Sequence, residues 1–96
     1  MLTGKQRSYL RSIANTIPTI LQVGKDGISA NMIKQVDDAL EARELVKGNV
    51  LKNSTIEARE ACEHLAQSLK AEIVQVIGNR FVLYRQSIDN KVIVLP

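Results

Sequence analysis

The sequence predicts an α+β domain in which three helices pack on a four-stranded mixed sheet. Apolar residues recur at helical spacing in three separate stretches, strand-like runs lie between and after them, and a two-residue turn joins the last two runs. Connections through helices favour parallel strands, whereas a tight turn joins antiparallel ones. The predicted order is helix, strand, helix, strand, helix, strand, strand. The first three strands are expected to be parallel neighbours or near neighbours, with the fourth joined by the hairpin.

The first helix is predicted to begin at Thr3, because Thr3 and Gln6 have the spacing of a capping box. Pro18 ends this helix, since proline cannot continue the hydrogen-bond ladder. The run from Pro18 to Val23 is short, apolar and β-branched, which predicts a first strand covered on both faces. The helix is expected to bury a stripe that comprises Leu2, Gln6, Tyr9, Leu10, Ile13 and Ile17.

Ser29 is a good N-cap for the second helix, which carries acids along one side. Leu45–Leu51 is the second strand candidate, and Gly48 within it indicates a bulge or a close backbone approach. The apolar stripe of the second helix comprises Met32, Ile33, Val36 and Leu40, and its acids are Asp37, Asp38, Glu41 and Glu44.

Ser54 and Glu57 repeat the capping-box spacing and predict a third helix through about Lys70. Cys62 lies in the apolar stripe of this helix and is expected to be a small buried hydrophobe. Two β-rich runs follow, 72–77 and 80–85, and Gly78 between them is expected to supply the positive φ of a hairpin turn.

Phe81 and Tyr84 lie an odd number of residues apart on the last predicted strand, so they are expected to face opposite sides of the sheet. We expect residues 1–86 to form the domain and residues 87–96 to form a C-terminal tail. Val92–Leu95 in that tail is apolar and β-branched, which favours either an added edge strand or contact with a partner.

Composition restricts the class of protein further. The chain has 96 residues, enough for one core, and its single cysteine cannot form an internal disulfide, which favours a reducing compartment. No secretory leader or membrane-spanning run is recognisable, so a cytoplasmic location without membrane contact is expected. The net charge is +3, and the bases are concentrated in residues 1–34 and 73–96, whereas acids predominate between them. Charge alone leaves open whether a polyanion binds one face or the surface is simply solvated.

The most distinctive short pattern is Gly24-Lys25-Asp26-Gly27 between the first strand and the second helix. Two glycines three residues apart allow a close approach to the backbone, and the start of the next helix offers free N–H groups to an anionic oxygen. This arrangement is typical of a clamp on a nucleic-acid backbone. A Gly-x-x-Gly turn is also common in loops that bind nothing, so the loop alone leaves both interpretations open.

An enzyme is not expected from this sequence. His64 has no recognisable catalytic partner, Cys62 and His64 point to different sides of a helix, and no metal-ligand spacing or cofactor motif occurs. The glycine loop is not a P-loop, since no Gly-Lys-Ser/Thr follows at the required spacing. We therefore expect no cofactor, no metal and no small-molecule substrate.

Four separated segments resemble the CRM domain, which is named for chloroplast RNA splicing and ribosome maturation. Residues 2–12 are similar to its opening helix, residues 23–27 to its glycine loop, residues 44–47 to its second strand and residues 77–85 to its closing hairpin. The short form is similar to the bacterial YhbY-type proteins. Two positions depart from the family pattern: Gly48 replaces an apolar residue, and Asp26 replaces a glycine or a base.

The resemblance implies a fold like the C-terminal domain of translation initiation factor three. It also implies a non-catalytic protein that binds RNA in precursors of the large ribosomal subunit and assists ribosome assembly. By position, the RNA-binding residues would be Gly24, Lys25, Asp26 and Gly27 in the loop, Arg7 and Arg11 on the first helix, and Arg80 and Arg85 on the hairpin. The acidic side of the second helix is not expected to touch RNA.

A protein-interaction adaptor is the alternative function. In that case the acidic second helix or the apolar tail would dock a ribosomal protein or an assembly GTPase. The two functions predict different salt dependence, because RNA binding through phosphates weakens steeply with salt and an apolar protein interface does not.

Overall fold

A computed structural model describes residues 2–96, so residue 1, where the predicted domain begins, lies outside the described part. The predicted α+β fold and the order of its elements are confirmed. The elements are α1 (Gly4–Ala14), β1 (Leu21–Val23), α2 (Ala30–Arg43), β2 (Leu45–Val50), α3 (Ala58–Leu69), β3 (Glu72–Ile77) and β4 (Arg80–Tyr84).

The four strands form one mixed sheet in the order β1-β2-β4-β3. β1 pairs parallel with β2, and β4 runs antiparallel to both β2 and β3. The hairpin strand β4 is therefore inserted between β2 and β3, which makes β3 a near neighbour of β2 rather than its direct partner. α1 packs on one face of the sheet, and α2 and α3 cover the other. We call these the α1 face and the α2/α3 face.

Local capping explains where two of the helices begin. The Thr3 hydroxyl accepts a hydrogen bond from the Gln6 N–H at 3.1 Å, and the Gln6 side chain accepts one from the Thr3 N–H at 3.0 Å, so the predicted capping box is confirmed. The Ser29 hydroxyl likewise accepts from the Met32 N–H at 3.1 Å.

The third helix begins later than its sequence predicts. Ser54 bonds within its own turn, accepting from the Ile56 N–H and donating to the Ile56 carbonyl, so it does not cap a helix. Glu57 is the N-cap residue instead, and its N–H donates to the Glu60 carboxylate at 3.5 Å. The prediction of a helix opening at Ser54 is therefore wrong by one turn.

The region around Pro18 also differs from prediction. α1 ends at Ala14, before the proline, and β1 covers only three residues of the expected run from Pro18 to Val23. The ammonium of Lys47 on β2 donates to the Ala14 carbonyl at 3.0 Å and to the Ile17 carbonyl at 3.3 Å. The Ala14 carbonyl also accepts from the Ile17 N–H at 3.4 Å, so the ammonium adds a second partner and places a positive charge at the C-terminal end of the helix, where it complements the helix dipole.

Two buried clusters lie on the two faces of the sheet. Phe81 belongs to the cluster beneath α2 and α3 and Tyr84 to the cluster beneath α1, as the odd spacing predicts. Cys62 is fully buried in the first cluster. In the α1 stripe Leu10 is fully buried, whereas Tyr9 is exposed and does not belong to the core.

Gly48 makes room for an aromatic ring. A Cβ atom at this position would lie 2.6 Å from the tip of the Phe81 ring. The pairing of β2 with β4 continues without a shift on both sides of Gly48, so the glycine marks a close approach by a side chain rather than a bulge.

The bulge lies on β3 instead, between Ile73 and Gln75. Ile73 and Val76 pack with the α2/α3 cluster, whereas Val74 packs with the α1 cluster and Gln75 pairs with Val82 of that same cluster. Two successive residues therefore lie on the α1 face, because the extra residue shifts the alternation of the strand.

The tail, residues 87–96, forms no strand and is held by two carboxylates, one in the last turn of the second helix and one on its C-cap residue. Glu41 accepts hydrogen bonds from the Ser87 hydroxyl and from the backbone N–H groups of Ile88 and Asp89. Glu44, fully buried, accepts from the N–H groups of Ser87, Val92 and Ile93 at 2.7–2.8 Å.

These bonds favour the charged form of both acids. The N–H of Asp89, with the Ser87 hydroxyl and the Ile88 N–H, lowers the pKa of Glu41 from 4.5 to about 2. Burial alone would raise the pKa of Glu44, but the N–H groups of Ile93, Ser87 and Val92 outweigh it, and the pKa is lowered.

Candidate nucleic-acid interface

The Gly24–Gly27 loop is a tight turn closed by its own backbone. The Gly27 N–H donates to the Gly24 carbonyl at 3.0 Å, and Gly27 has φ of +64°, a conformation that only glycine adopts without strain. Lys25 and Asp26 at its tip are exposed. Their backbone N–H groups donate to no residue within 2–96, so the turn presents two free donors beside the Lys25 ammonium.

The second helix begins immediately after this turn. Its Ser29 cap satisfies the Met32 N–H, whereas the first N–H groups of any helix lack partners within the helix. The positive end of the α2 dipole therefore lies next to the loop, which favours an anionic oxygen there.

Two further segments lie beside the loop. The Leu51 N–H donates to the Val23 carbonyl at 2.8 Å, and a Cβ on Gly24 would lie 3.8–3.9 Å from the Leu51 and Asn53 side chains. Asn79 in the hairpin turn binds the end of β2 twice, because its carbonyl accepts from the Val50 N–H at 2.7 Å and its side-chain amide donates to the Val50 carbonyl at 3.2 Å. We call this region, formed by residues 24–27, 51–55 and 78–80, the loop end of the sheet.

The loop end brings together three exposed bases from three segments: Lys25, Lys52 and Arg80. Arg11 is exposed in the last turn of α1. A groove lined by Ala14, Asn15 and Arg80 connects the end of that helix with β4, so Arg11 lies on the side of the molecule that faces the loop end.

The other two predicted arginines are engaged within the protein, at the far end of the sheet. Arg7 donates to the Ile73 carbonyl at the β3 bulge. Arg85 pairs with the Asp37 carboxylate at 2.7 Å and also donates to the Leu69 and Asp37 carbonyls. Arg85 is five residues beyond Arg80, on the order of 17 Å away along an extended strand. The structure therefore does not bring Arg7 and Arg85 to the glycine loop.

Sequence reasoning left Lys52, Asn53 and Asn79 out of the site. A signal for Lys52 and Asn53 exists in principle, because parallel strands connected through a helix end at the same edge of a sheet, so the residues after β1 and β2 must meet. Asn79 had no such signal. Its position depends on β4 being inserted next to β2, which follows from long-range packing.

Groups that often mark an enzyme have ordinary structural surroundings here. Burial raises the pKa of the Cys62 thiol from 9.0 to about 12, which suppresses its thiolate, and His64 is exposed. Within residues 2–96, no three His, Cys, Asp or Glu side chains are arranged to hold a metal ion. The helices of this part of the chain are all too short or too polar to cross a membrane.

Fold and site together define a small α+β domain whose glycine loop, the end of its second strand and its hairpin turn form one basic end. The family is then clear: the chain belongs to the CRS1/YhbY (CRM) domain family, whose model matches residues 2–85. The resemblance found in the sequence is thereby confirmed.

Known proteins agree with this membership. Probable RNA-binding protein YqeI of Bacillus subtilis is 50% identical over 96 residues, covering the whole of both chains. A probable RNA-binding protein of Methanocaldococcus jannaschii is 38% identical over 86 residues, which are 88% of this chain and 63% of that relative. The solution structure of a hypothetical protein from Staphylococcus aureus matches with a TM-score of 0.81 and 54% identity, covering 100% of both chains.

Proposed function

We propose that this protein is a non-catalytic RNA-binding protein that binds ribosomal RNA in precursors of the large ribosomal subunit and assists ribosome assembly. RNA binding is supported by relatives that are named as RNA-binding proteins, one of them matching this chain from end to end. The ribosomal target is an extension that rests on the family resemblance.

The observation that carries the proposal is the joining of three exposed bases with free backbone donors at the loop end. In the proposed mode, the N–H groups of Lys25 and Asp26 donate to a phosphate oxygen, while the Lys25 ammonium lies beside it. Lys52 and Arg80 contact the phosphates on either side. These contacts follow the RNA backbone and give little base specificity by themselves.

The Asp26 carboxylate is compatible with this mode. Asp26 is exposed at the turn and accepts no hydrogen bond from residues 2–96, so its side chain is free to turn toward solvent. Its backbone N–H is then still available to an anion. The proposed clamp therefore uses the Asp26 main chain and not its side chain.

The test is sedimentation of the native protein through a ribosome gradient, at low and at high salt. Lys25→Glu should abolish co-migration with large-subunit precursors, as should high salt, because both remove attraction to phosphate. Lys5→Glu is the matched control: it makes the same charge change on an exposed lysine of the first turn of α1 and should leave co-migration intact. Co-migration that is indifferent to Lys25→Glu and to salt would refute the proposal.

Gly24→Asp provides a second test that does not depend on lysine. A Cβ at Gly24 meets only ordinary contacts at 3.8–3.9 Å, and only Gly27 of the two loop glycines has a positive φ. The variant should therefore fold with the stability of the parent while its carboxylate repels phosphate at the closest approach to the backbone. Unchanged RNA affinity in the folded variant would exclude the loop from the interface.

The steepness of the salt dependence follows from the contacts. Three or four neutralised phosphates predict a slope of log K against log salt of about −2 to −3 on single-stranded RNA. A slope near zero would favour a mainly apolar interface instead.

One observation favours the alternative function of an adaptor. Ile88, Val92 and Val94 of the tail are largely exposed, at 84%, 64% and 85%. The acidic second helix is a weaker candidate for docking a ribosomal protein or an assembly GTPase, because Glu41 and Glu44 already bind the tail. Replacing the three tail residues by serine should leave RNA binding unchanged, and loss of ribosome association by this variant alone would support the adaptor.

A further inference from the structure

Part of the α1 face is left uncovered next to the loop end. α1 stops at Ala14, so the last residues of β3 and the first of β4 on this face have no helix above them. Ile77 is 62% exposed on this side of the sheet. The uncovered area thus combines apolar surface with the polar side chains of neighbouring strand positions.

A groove of about 160 Å³ runs along this area and is lined by Ala14, Asn15, Lys47, Gln75, Ile77 and Arg80, with Phe81 and Val82 beneath. Its volume is well below the roughly 300–1,000 Å³ of sites that enclose a drug-sized ligand. The groove therefore suits a single flat ring system better than a complete cofactor.

Its polar groups are available to a ligand. The side chains of Asn15, Gln75 and Arg80 make no hydrogen bond to any residue in 2–96, although Gln75 is half-buried. Lys47 keeps a fixed positive charge at the groove wall through its bonds to the end of α1. None of the described residues that line the groove is an acid, so the charges that line it attract an electronegative base edge.

The bulge is the reason that Gln75 faces the groove. Regular alternation from Ile73 would place Gln75 on the α2/α3 face, whereas the extra residue puts it opposite Val82 on the α1 face. Arg7 satisfies the Ile73 carbonyl at this bulge. Arg7 thus supports the strand shape that directs Gln75 toward the groove.

An unsatisfied amide lies beside the groove. Asn49 is directly opposite Arg80 in the pairing of β2 with β4, and directly opposed residues share a face. The Asn49 Oδ1 atom is shielded from solvent and accepts no hydrogen bond within the described residues. Buried polar atoms normally have hydrogen-bond partners, so a ligand that places a donor here would form a hydrogen bond that the free protein lacks.

We propose that this groove is a subsite for one unstacked RNA base. Gln75 contacts the base edge, Ile77 packs on the base face, and Arg80, whose guanidinium carries five N–H donors, contacts the same base edge as well as the adjacent phosphate. The inference rests on the proposed RNA binding and extends it from backbone contacts to base discrimination. Amide and guanidinium groups match the donors and acceptors of exposed base edges, and unstacked bases in single strands are the usual target of specific RNA readout.

The experiment measures the affinity of the full chain for four homopolymeric eight-nucleotide RNAs by fluorescence anisotropy at one salt concentration. The parent should bind its best homopolymer about 10-fold or more tightly than its worst, because one good pair of edge contacts discriminates by roughly 5- to 100-fold. Gln75→Ala and Arg80→Gln should each reduce this ratio to less than about threefold. Arg80 is exposed, so Arg80→Gln should fold normally and can test the subsite even if Gln75→Ala unfolds.

Two comparisons separate this inference from the proposed function. Lys25→Glu should weaken binding to all four RNAs by the same factor and preserve their ratio, and Gln67→Ala, an exposed glutamine on α3, should change nothing. Ratios that stay unchanged in the Gln75 and Arg80 variants while Lys25→Glu still weakens binding would overturn the subsite alone. A parent that binds all four RNAs equally would also overturn it, and a parent that binds none would overturn the proposed function as well.

Discussion

Gly48→Ala should destabilise the protein, although alanine is normally the better residue in a strand. Removing a glycine stabilises by about 0.4–1 kcal/mol through the unfolded chain when the native site tolerates a side chain. Here the added Cβ would lie 2.6, 3.0 and 3.1 Å from three atoms of the Phe81 ring. Phe81 is 1% exposed, so its ring cannot move into solvent to relieve the contact.

The expected magnitude follows from these opposing terms. Forcing a methyl group into a filled core costs about 1–3 kcal/mol, which exceeds the gain in chain entropy. We expect a net loss of about 1–2 kcal/mol, which for a domain of this size lowers Tm by roughly 4–16 °C. Chemical denaturation and thermal unfolding followed by circular dichroism measure both quantities.

Two variants make the test specific. Gly4→Ala is the control, because a Cβ there meets no atom within 4 Å among the neighbours that the structure describes, and it should stabilise the protein by about 0.4–1 kcal/mol through the unfolded chain. Gly48→Ala combined with Phe81→Leu should lose less stability than the two single losses added together, since leucine lacks the ring atoms that clash. The proposed contact between position 48 and the Phe81 ring would be refuted if Gly48→Ala were as stable as the parent. It would also be refuted if the stability losses of the two single variants simply added up in the double variant.

Three further predictions concern the tail and the buried thiol. Glu44→Gln should lower the free energy of unfolding by about 2–3 kcal/mol, because an amide nitrogen replaces an oxygen that accepts a backbone hydrogen bond. Hydrogen exchange should show that the Ser87 N–H loses protection, and full protection of this group would contradict the prediction. Glu41 has a pKa of about 2 in the folded protein, below its ordinary 4.5, so its contribution to folding stability is complete above pH 4.5 and is lost as the pH falls toward 2. The amide resonance of Asp89, which donates to Glu41, should therefore titrate near pH 2 and not near pH 4.5. Cys62, with a pKa of about 12, should react with a disulfide reagent at pH 8 only in denaturant, and rapid reaction of the native protein would show that the thiol is accessible.

The parts of the fold that sequence could predict depend on neighbours in the chain. The Thr3 and Ser29 caps involve residues three positions apart, and the turn at Gly78, whose φ is +57°, follows from residue type. The same local reasoning failed at Ser54, because its hydroxyl satisfies the nearer Ile56 N–H and the helix begins one turn later. Spacing alone does not decide between two capping arrangements that a chain can form.

The rest depends on contacts between distant residues. Glu44 accepts N–H groups that lie 43 to 49 positions away, and no local pattern distinguishes it from a solvent-exposed acid at a helix end. Its φ of +66° is equally unmarked, because such a position usually favours glycine or asparagine. At the candidate site, sequence located the glycine loop and Arg80, but the structure separates Arg7 and Arg85 from them through contacts that only the folded chain makes.

The bulge on β3 also gives neighbouring positions of one short strand different tolerance to substitution. Before it, Ile73 packs with the α2/α3 cluster, and Val74 is buried with the α1 cluster, so changes there alter folding. After it, Val76 packs with the α2/α3 cluster again, whereas Gln75 and Ile77 lie along the open groove. A saturation library across residues 73–77 should therefore separate into variants that reduce protein abundance and variants that stay abundant. Neighbouring positions of a single strand can thus diverge in sequence under independent selection.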